Sequence, residues 1–172
     1  MFTNYLYINS IIWYNECWKK EVKTNKMNII MLLKPKCDVA YIYEDNTIRQ
    51  GLEKMRYHGY TAIPVIAQNG EYVGTVNEGD FLWHILDCNN RSIKKQEEYT
   101  VKDILRKGFN PPVTITTPIE TLLMRVMDQN FVPVIDDRGV FMGIVTRSDI
   151  IKYYYNKKAV DEAIASLIEV SV

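Results

Sequence analysis

Two stretches of the 172-residue chain place a carboxylate three residues after a side chain that can cap a helix: Thr146-Arg147-Ser148-Asp149 and Asn77-Glu78-Gly79-Asp80. Each follows an apolar run that reads as the end of a strand. At a strand end just before a helix, the Thr146 hydroxyl and the nearby backbone N–H groups face any anion at the helix N-terminus. Arg147 adds a planar donor suited to phosphate, and the Asp149 carboxylate can accept two hydrogen bonds from a diol. The same spacing is that of a capping box, which satisfies the orphan N–H groups of a helix start and needs no ligand. Residue types alone leave both roles open. In the other stretch Asn77 is a competent cap and Asp80 keeps the diol acceptor, but Glu78 stands where Arg147 does and repels a phosphate. Lys34, Lys36 and Arg56 are the cations that could compensate there.

These two stretches belong to an internal repeat. A shift of 69 positions aligns Pro64-Val65-Ile66 with Pro133-Val134-Ile135, Gly70 with Gly139, Gly74 with Gly143, Val76 with Val145 and Asp80 with Asp149. That is seven identities within residues 64–80, where ordinary composition gives about one. Upstream, Ile48, Leu52 and Tyr60 match Ile119, Leu123 and Phe131 at a shift of 71. The second copy has therefore lost two residues just before its proline, where the first has Thr61 and Ala62.

Each copy predicts the same elements. Short strands at 39–43 and 113–115 lead into helices marked by Ile48, Leu52 and Met55 and by Ile119, Leu122, Leu123 and Val126 at helical spacing. Pro118 suits the first turn of its helix. Two strands joined by a Gly-containing turn follow, over 62–66 and 71–76 and again over 132–135 and 140–145. Helices over 80–86 and 149–156 close the units. The division is a 1–34 extension, a 35–87 unit, an 88–98 linker, a 99–156 unit and a 157–172 tail. A unit of this size buries too little apolar surface to stand well alone, so the copies are expected to share a core about a pseudo-two-fold axis, with equivalent clefts where they meet.

Composition bounds the partners. Lys plus Arg and Asp plus Glu both number 21, and 47% of residues are apolar. This offers no general field for a nucleic acid or an anionic membrane, and no apolar run is long enough to span a bilayer. Cys17, Cys37 and Cys88 are an odd, scattered set, which supports neither a disulfide framework nor a zinc site. A reduced, cytoplasmic protein is expected, with Cys37 at least partly buried. His58 and His84 read as surface helix residues. Residues 1–26 lack the pattern of a secretory signal, and Met27 is the expected true start.

The run Gly143-Ile144-Val145-Thr146-Arg147-Ser148-Asp149, with the elements Ile63-Pro64-Val65 and Val132-Pro133-Val134, resembles the CBS domain. Its motif G-h-V-[ST]-x-x-D follows an h-P-V strand. The resemblance covers both copies, as in the tandem pair called a Bateman module, of the small stand-alone type known from bacteria. It implies an α+β fold and a non-enzymatic regulatory role in which clefts bind an adenosine-containing ligand: AMP, ADP, ATP, S-adenosylmethionine or cyclic di-AMP. It implies no tightly bound cofactor, a regulated partner protein, and no nucleic-acid or membrane partner. By resemblance, Asp149 holds the ribose, Thr146 and Arg147 the phosphate, and Val113, Thr114, Val132 and Pro133 the adenine; Ala62, Pro64, Asn77 and Asp80 are the first-copy positions. The resemblance also implies a disc-like homodimer through helices, with Phe81, Leu82, Ile85, Leu122, Val126, Ile150 and Ile151 as candidate interface positions. The competing reading is a constitutive dimerisation or protein-interaction module with vestigial clefts.

Overall fold

A computed structural model of the chain describes residues 28–88 and 93–170. The segment before Met27, read above as preceding the true start, lies outside the described residues. The chain enters through a short 3-10 turn, Ile29–Met31, and a two-residue strand β1 (Lys34–Pro35). The first copy then runs β2 (Ile42–Tyr43), α1 (Ile48–His58), β3 (Ala62–Ile66), β4 (Tyr72–Asn77) and α2 (Glu78–Asp87). The second repeats that order as β5 (Val113–Thr114), α3 (Ile119–Asp128), β6 (Phe131–Ile135), β7 (Phe141–Thr146) and α4 (Arg147–Val170). The fold is α+β, with the repeated order intact in both copies. Helix α4 runs on through most of the expected tail.

Register preserves the repeat. Strand β2 is parallel to β3 with Ile42 opposite Val65, and β5 is parallel to β6 with Val113 opposite Val134. The antiparallel pairs β3–β4 and β6–β7 each carry an irregularity at the same place, Val65/Ile66 and Val134/Ile135. Their turns are tied to each other: Tyr72 N–H donates to the Gly139 carbonyl at 3.0 Å, and Phe141 N–H to the Gly70 carbonyl at 2.9 Å.

Local chemistry explains the helix ends. Thr47 and Gln50 form a reciprocal capping box on α1, which closes at Gly59 in the left-handed conformation (φ +65°) that glycine adopts without steric cost. Helix α3 follows Pro118, which sits one residue ahead of the first helical turn, and ends at an extended Gln129 with no glycine.

Each copy packs its own apolar cluster, and each cluster is completed by a residue from outside the copy. In the first, Ile42, Ile48, Met55, Ile63, Val65, Val76 and Phe81 are joined by Val101, from the segment leading into the second copy. That segment is bonded to the first copy, Val101 N–H to the Asn46 carbonyl and Lys102 N–H to the Glu44 carbonyl, both at 2.9 Å. In the second, Val113, Ile119, Leu122, Val126, Val132, Val134, Val145 and Ile150 are joined by Ile29, from the extension ahead of the first copy. Four of the candidate interface positions, Phe81, Leu122, Val126 and Ile150, are thus core residues, and Ile85 is half-buried; Leu82 and Ile151 are exposed. Cys37 is exposed rather than buried, because it lies on the 3-10 turn Lys36–Asp38 and not in a strand.

The crossing of β1 over β7 needs a glycine. Lys34 lies opposite Ile144 and Pro35 opposite Gly143, and Gly143 has φ +151°, where a β-carbon would collide with the Lys34 carbonyl. Gly74, its repeat mate, leaves room for the Leu105 side chain, 2.9 Å from an added β-carbon. Gly143→Ala is therefore expected to destabilise the fold by about 3 kcal/mol. Gly139→Ala, at φ +84° with open space around it, is expected to cost about 1 kcal/mol. At about 2–4 °C per kcal/mol for a chain of this size, thermal melts separate the two variants. Equal melting temperatures would show that β1 does not depend on the gap.

Candidate functional site

Two equivalent cavities lie where the copies meet. The one at the start of α4 has a volume of about 580 Å³ and draws its walls from three sources. Lys34, Asp38 and Val39 come from the entering segment, Gly59 to Ala62 and Pro64 from the first copy, and Asn130, Phe131, Ile144 and Thr146 from the second. The other, about 310 Å³, lies at the start of α2 and is lined by Thr75 and Asn77, by Phe109 and Asn110, and by residues 128–131 with Thr61 and Ala62. Each cleft thus joins the helix start of one copy to the strand entrance of the other. Of the first-copy positions, Pro64 lies in the cleft of Thr146, and Ala62 borders both.

Both helix starts are capped. Asn77 Oδ1 accepts from Asp80 N–H at 3.0 Å and Asn77 N–H donates to Asp80 Oδ2 at 2.8 Å. Thr146 Oγ1 accepts from Asp149 N–H at 3.2 Å and donates to Asp149 Oδ2 at 2.5 Å. The two carboxylates then diverge. Asp80, with 7% of its side chain exposed, holds Arg106 through Nε–Oδ1 at 2.7 Å, and Arg106 Nη2 reaches Oδ2 at 3.5 Å. Both of its oxygens are engaged. Asp149, with 23% of its side chain exposed, meets Lys34 Nζ at 3.0 Å on Oδ2, the oxygen that Thr146 also holds. Its contacts fall on one oxygen. Burial pushes the Asp149 carboxyl up, but the Thr146 hydroxyl and the Lys34 ammonium outweigh it and hold the group below the ordinary carboxylate range.

Arg147 is not in the cleft. Its Nε donates to the carbonyls of Val126 at 2.7 Å and Gln129 at 3.2 Å, and its Nη2 to that of Met127 at 3.4 Å. The guanidinium closes the C-terminus of α3, the end that lacks the glycine α1 has in Gly59. Glu78, its repeat mate, is exposed and is not among the residues lining the smaller cavity. Val113 and Val132 are buried in the second core. Pro133 is buried in β6 without lining either cavity. Thr114 lies opposite Ile135, at the strand end away from Phe131, and bonds to Thr116 and Thr117.

What residue reading missed is the segment ahead of each copy. Lys34 serves the second-copy cleft rather than the first, and Arg106, Phe109 and Asn110 stand at the equivalent place for the other. A signal was available: a shift of 71–72 brings Lys34 beside Arg106 and Asp38-Val39 onto Phe109-Asn110. Of the other cations near the first copy, Lys36 sits over the Tyr41 ring at 5.1 Å, and Arg56 is exposed on α1.

A family model for the CBS domain matches residues 32–87 and 100–156. Cyclic di-AMP receptor B of Bacillus subtilis is 28% identical over 114 residues, 66% of this chain and 77% of that protein. Among solved structures, CbpB in complex with c-di-AMP matches with a TM-score of 0.75 at 21% identity, over 86% of this chain and 99% of that one. CBSX2 in complex with AMP matches with a TM-score of 0.62 at 22% identity, over 76% of this chain and 98% of that one. CBSX2 is a CBS-pair protein from Arabidopsis thaliana. Likeness at these identities establishes the CBS-pair fold. Among the described residues no helix is long and apolar enough to cross a membrane.

The depressed Asp149 carboxyl carries a pH signature. An ordinary aspartate titrates near 3.9, and Asp149 is expected to titrate below that. Its stabilising contribution is present above about pH 4 and is lost as pH falls through the folded value. Lys34→Ala is expected to move the midpoint upward, read by carbon NMR of the carboxyl. An unmoved midpoint would show that Lys34 does not hold the group in solution.

Proposed function

The chain belongs to the CBS domain family, as two copies in tandem, and from that premise we propose that it is a non-catalytic regulatory module whose second-copy cleft binds an adenine nucleotide. The observation that carries this reading is the arrangement at Asp149. Asp149 is not itself among the residues lining the cavity, but Thr146 and Lys34, which are, both engage its Oδ2 and leave Oδ1 to accept a ribose hydroxyl from a ligand seated between them. Lys34 and the N-terminus of the 24-residue helix α4 supply positive charge for a phosphate, the part that residue reading gave to Arg147. Val39, Ala62 and Pro64, with the Tyr60 and Phe131 rings, offer an apolar wall for a base. A volume of about 580 Å³ suits a nucleotide-sized ligand. The ligands of the similar structures, c-di-AMP and AMP, are both adenosine phosphates and support an adenosine-containing ligand, a wider class that also includes ADP, ATP and S-adenosylmethionine.

The module works in the cytoplasm as a homodimer and passes its occupied state to a regulated protein. Exposed apolar side chains on the helices, Leu82, Trp83 and Leu86 on α2 and Met127, Ile151 and Tyr155 on α3 and α4, favour such assembly. They also favour the second reading, a constitutive interaction module with vestigial clefts. A thermal-shift panel separates the two readings. A ligand at a hundred times its dissociation constant stabilises the fold by about 2.7 kcal/mol, whereas no shift with any of these adenosine ligands would leave the interaction module. Light scattering at micromolar concentration is expected to give a dimer mass under either reading, and a monomer mass would count against the assembly.

The residue roles are tested by calorimetry with AMP and adenosine. Lys34→Ala is expected to weaken AMP about tenfold or more while changing adenosine little, since a charge-assisted hydrogen bond contributes about 1.5–3 kcal/mol. Asp149→Ala is expected to weaken both ligands. Arg147→Ala is expected to lower the melting temperature and leave AMP affinity in place. If Arg147→Ala weakens AMP and Lys34→Ala does not, the phosphate has been placed on the wrong cation.

A further inference from the structure

Away from both clefts, the end of α2 and the chain returning to the first copy bring a thiol, an imidazole and a phenol together. Cys88 caps the C-terminus of α2, its N–H donating to the His84 carbonyl at 3.1 Å. Their four-residue spacing puts both side chains on one face of the last turn. Cys88 Sγ stands 3.7 Å from His84 Nε2 and 3.9 Å from Nδ1. Tyr99 closes the group from the returning segment, its ring edge-to-face with His84 and the centroids 4.7 Å apart. The charge of the Cys88 sulfur, and then the hydrogen bond to it, push the Tyr99 hydroxyl up. That hydroxyl therefore keeps its proton at neutral pH and can donate to a thiolate.

These neighbours decide what the sulfur can do. Cys88 is a free, half-buried cysteine, and the thiolate is the nucleophile. The negative end of the α2 dipole opposes an anion at a C-cap. The Glu98 and Asp103 carboxylates bear on the same group, and Asp87 beside it is exposed. His84 offsets them: it can take the thiol proton, and its imidazolium then faces the thiolate. Nucleophilicity at Cys88 thus depends on His84 and Tyr99. The group also sits on a joint of the fold. The Tyr99 carbonyl accepts from Ile48 N–H at 3.0 Å, and Val101 N–H donates to the Asn46 carbonyl at 2.9 Å. A moiety attached to Cys88 competes with the Tyr99 ring for space, and so acts on the segment that delivers Val101 to the first apolar cluster.

We propose that Cys88 is a reversible modification site for small disulfides of the glutathione type, with His84 as base and Tyr99 as hydrogen-bond donor, and that the adduct loosens the Tyr99–Val101 segment from the first copy. His84 takes the Cys88 proton, and the thiolate attacks one sulfur of the disulfide. A new S–S bond forms as the reagent's own S–S bond breaks, and the departing thiolate takes the proton from the His84 imidazolium. Cys88 is oxidised to a mixed disulfide and the reagent is reduced to a thiol. Nothing in this step depends on what the clefts bind.

The test uses the full chain carrying Cys17→Ser and Cys37→Ser, which leaves Cys88 as its one thiol, with oxidised glutathione as the probe. Mass spectrometry is expected to show one glutathione per folded chain, removed by dithiothreitol. The pH–rate profile is expected to show two ionisations, a thiol's and an imidazole's. His84→Gln is expected to leave one of them and to slow the reaction at neutral pH about threefold or more. Tyr99→Phe, which keeps the ring, is expected to slow it as well. The adduct is expected to lower the melting temperature by about 2–4 °C. A chain whose one thiol is the exposed Cys37 is expected to take up glutathione with its melt unchanged, a comparison that leaves His84 and Tyr99 in place. Reaction of Cys88 only after denaturant unfolds the chain overturns the site. So does a rate and profile that His84→Gln leaves unchanged. An adduct at Cys88 that does not move the melt, or moves it no more than one at Cys37, overturns the loosening.

Discussion

The pairing of Lys34–Pro35 with Gly143–Ile144, and the docking of Thr100 and Val101 against Thr47 and Asn46, organise everything around them. Each brings the segment ahead of one copy onto the body of the other. Ile29, 1% exposed, then completes the second apolar cluster, and Val101 completes the first. A unit of this size buries little apolar surface, and the exchange adds to what each copy buries. The same exchange delivers one cation to each helix start, Lys34 to Asp149 and Arg106 to Asp80. Core closure and cleft charge therefore have a single structural origin.

The copies differ where the second lost two residues. In the first, the longer connection lets Gly59 turn left-handed and close α1. In the second, α3 ends at an extended Gln129 and its carbonyls would lack donors. Arg147 reaches across to supply them. This accounts for Arg in one copy and Glu in the other at the same repeat position, because Glu78 has no such carbonyls to satisfy. On the Arg147 side, that difference is engaged as a helix C-cap.

Features set by local chemistry were legible in the sequence. The repeat, the order of strands and helices, the caps at Thr146 and Asn77, and the turns at Gly70 and Gly139 all follow from neighbouring residue types and periodicity. So did the placing of clefts where the copies meet, which needs only that two small units share a core. What was not legible depends on side-chain direction across long separations. Val113 and Val132 have the residue types of a base-binding wall, but the pleat turns them into the core. Arg147 has the type of a phosphate ligand, yet a helix end twenty residues earlier claims it. The role of Lys34 could not be read from its own neighbours, since its partner Asp149 lies at the far end of the described fold. Its repeat mate Arg106 was the one local hint.

The crossed arms also constrain how such a chain could have arisen. A single copy with its leading segment has no partner body on which to place that segment, and its Ile29 or Val101 equivalent would be exposed. Two separate copies could satisfy the same contacts by trading segments about a two-fold axis. Such a pair is obliged to keep its two clefts identical, since one gene encodes both. Joining the copies end to end preserves each contact and removes that obligation. The closed carboxylate of Asp80 beside the open one of Asp149, and Gly59 opposite Arg147, are divergences that covalent linkage permits and symmetry would forbid.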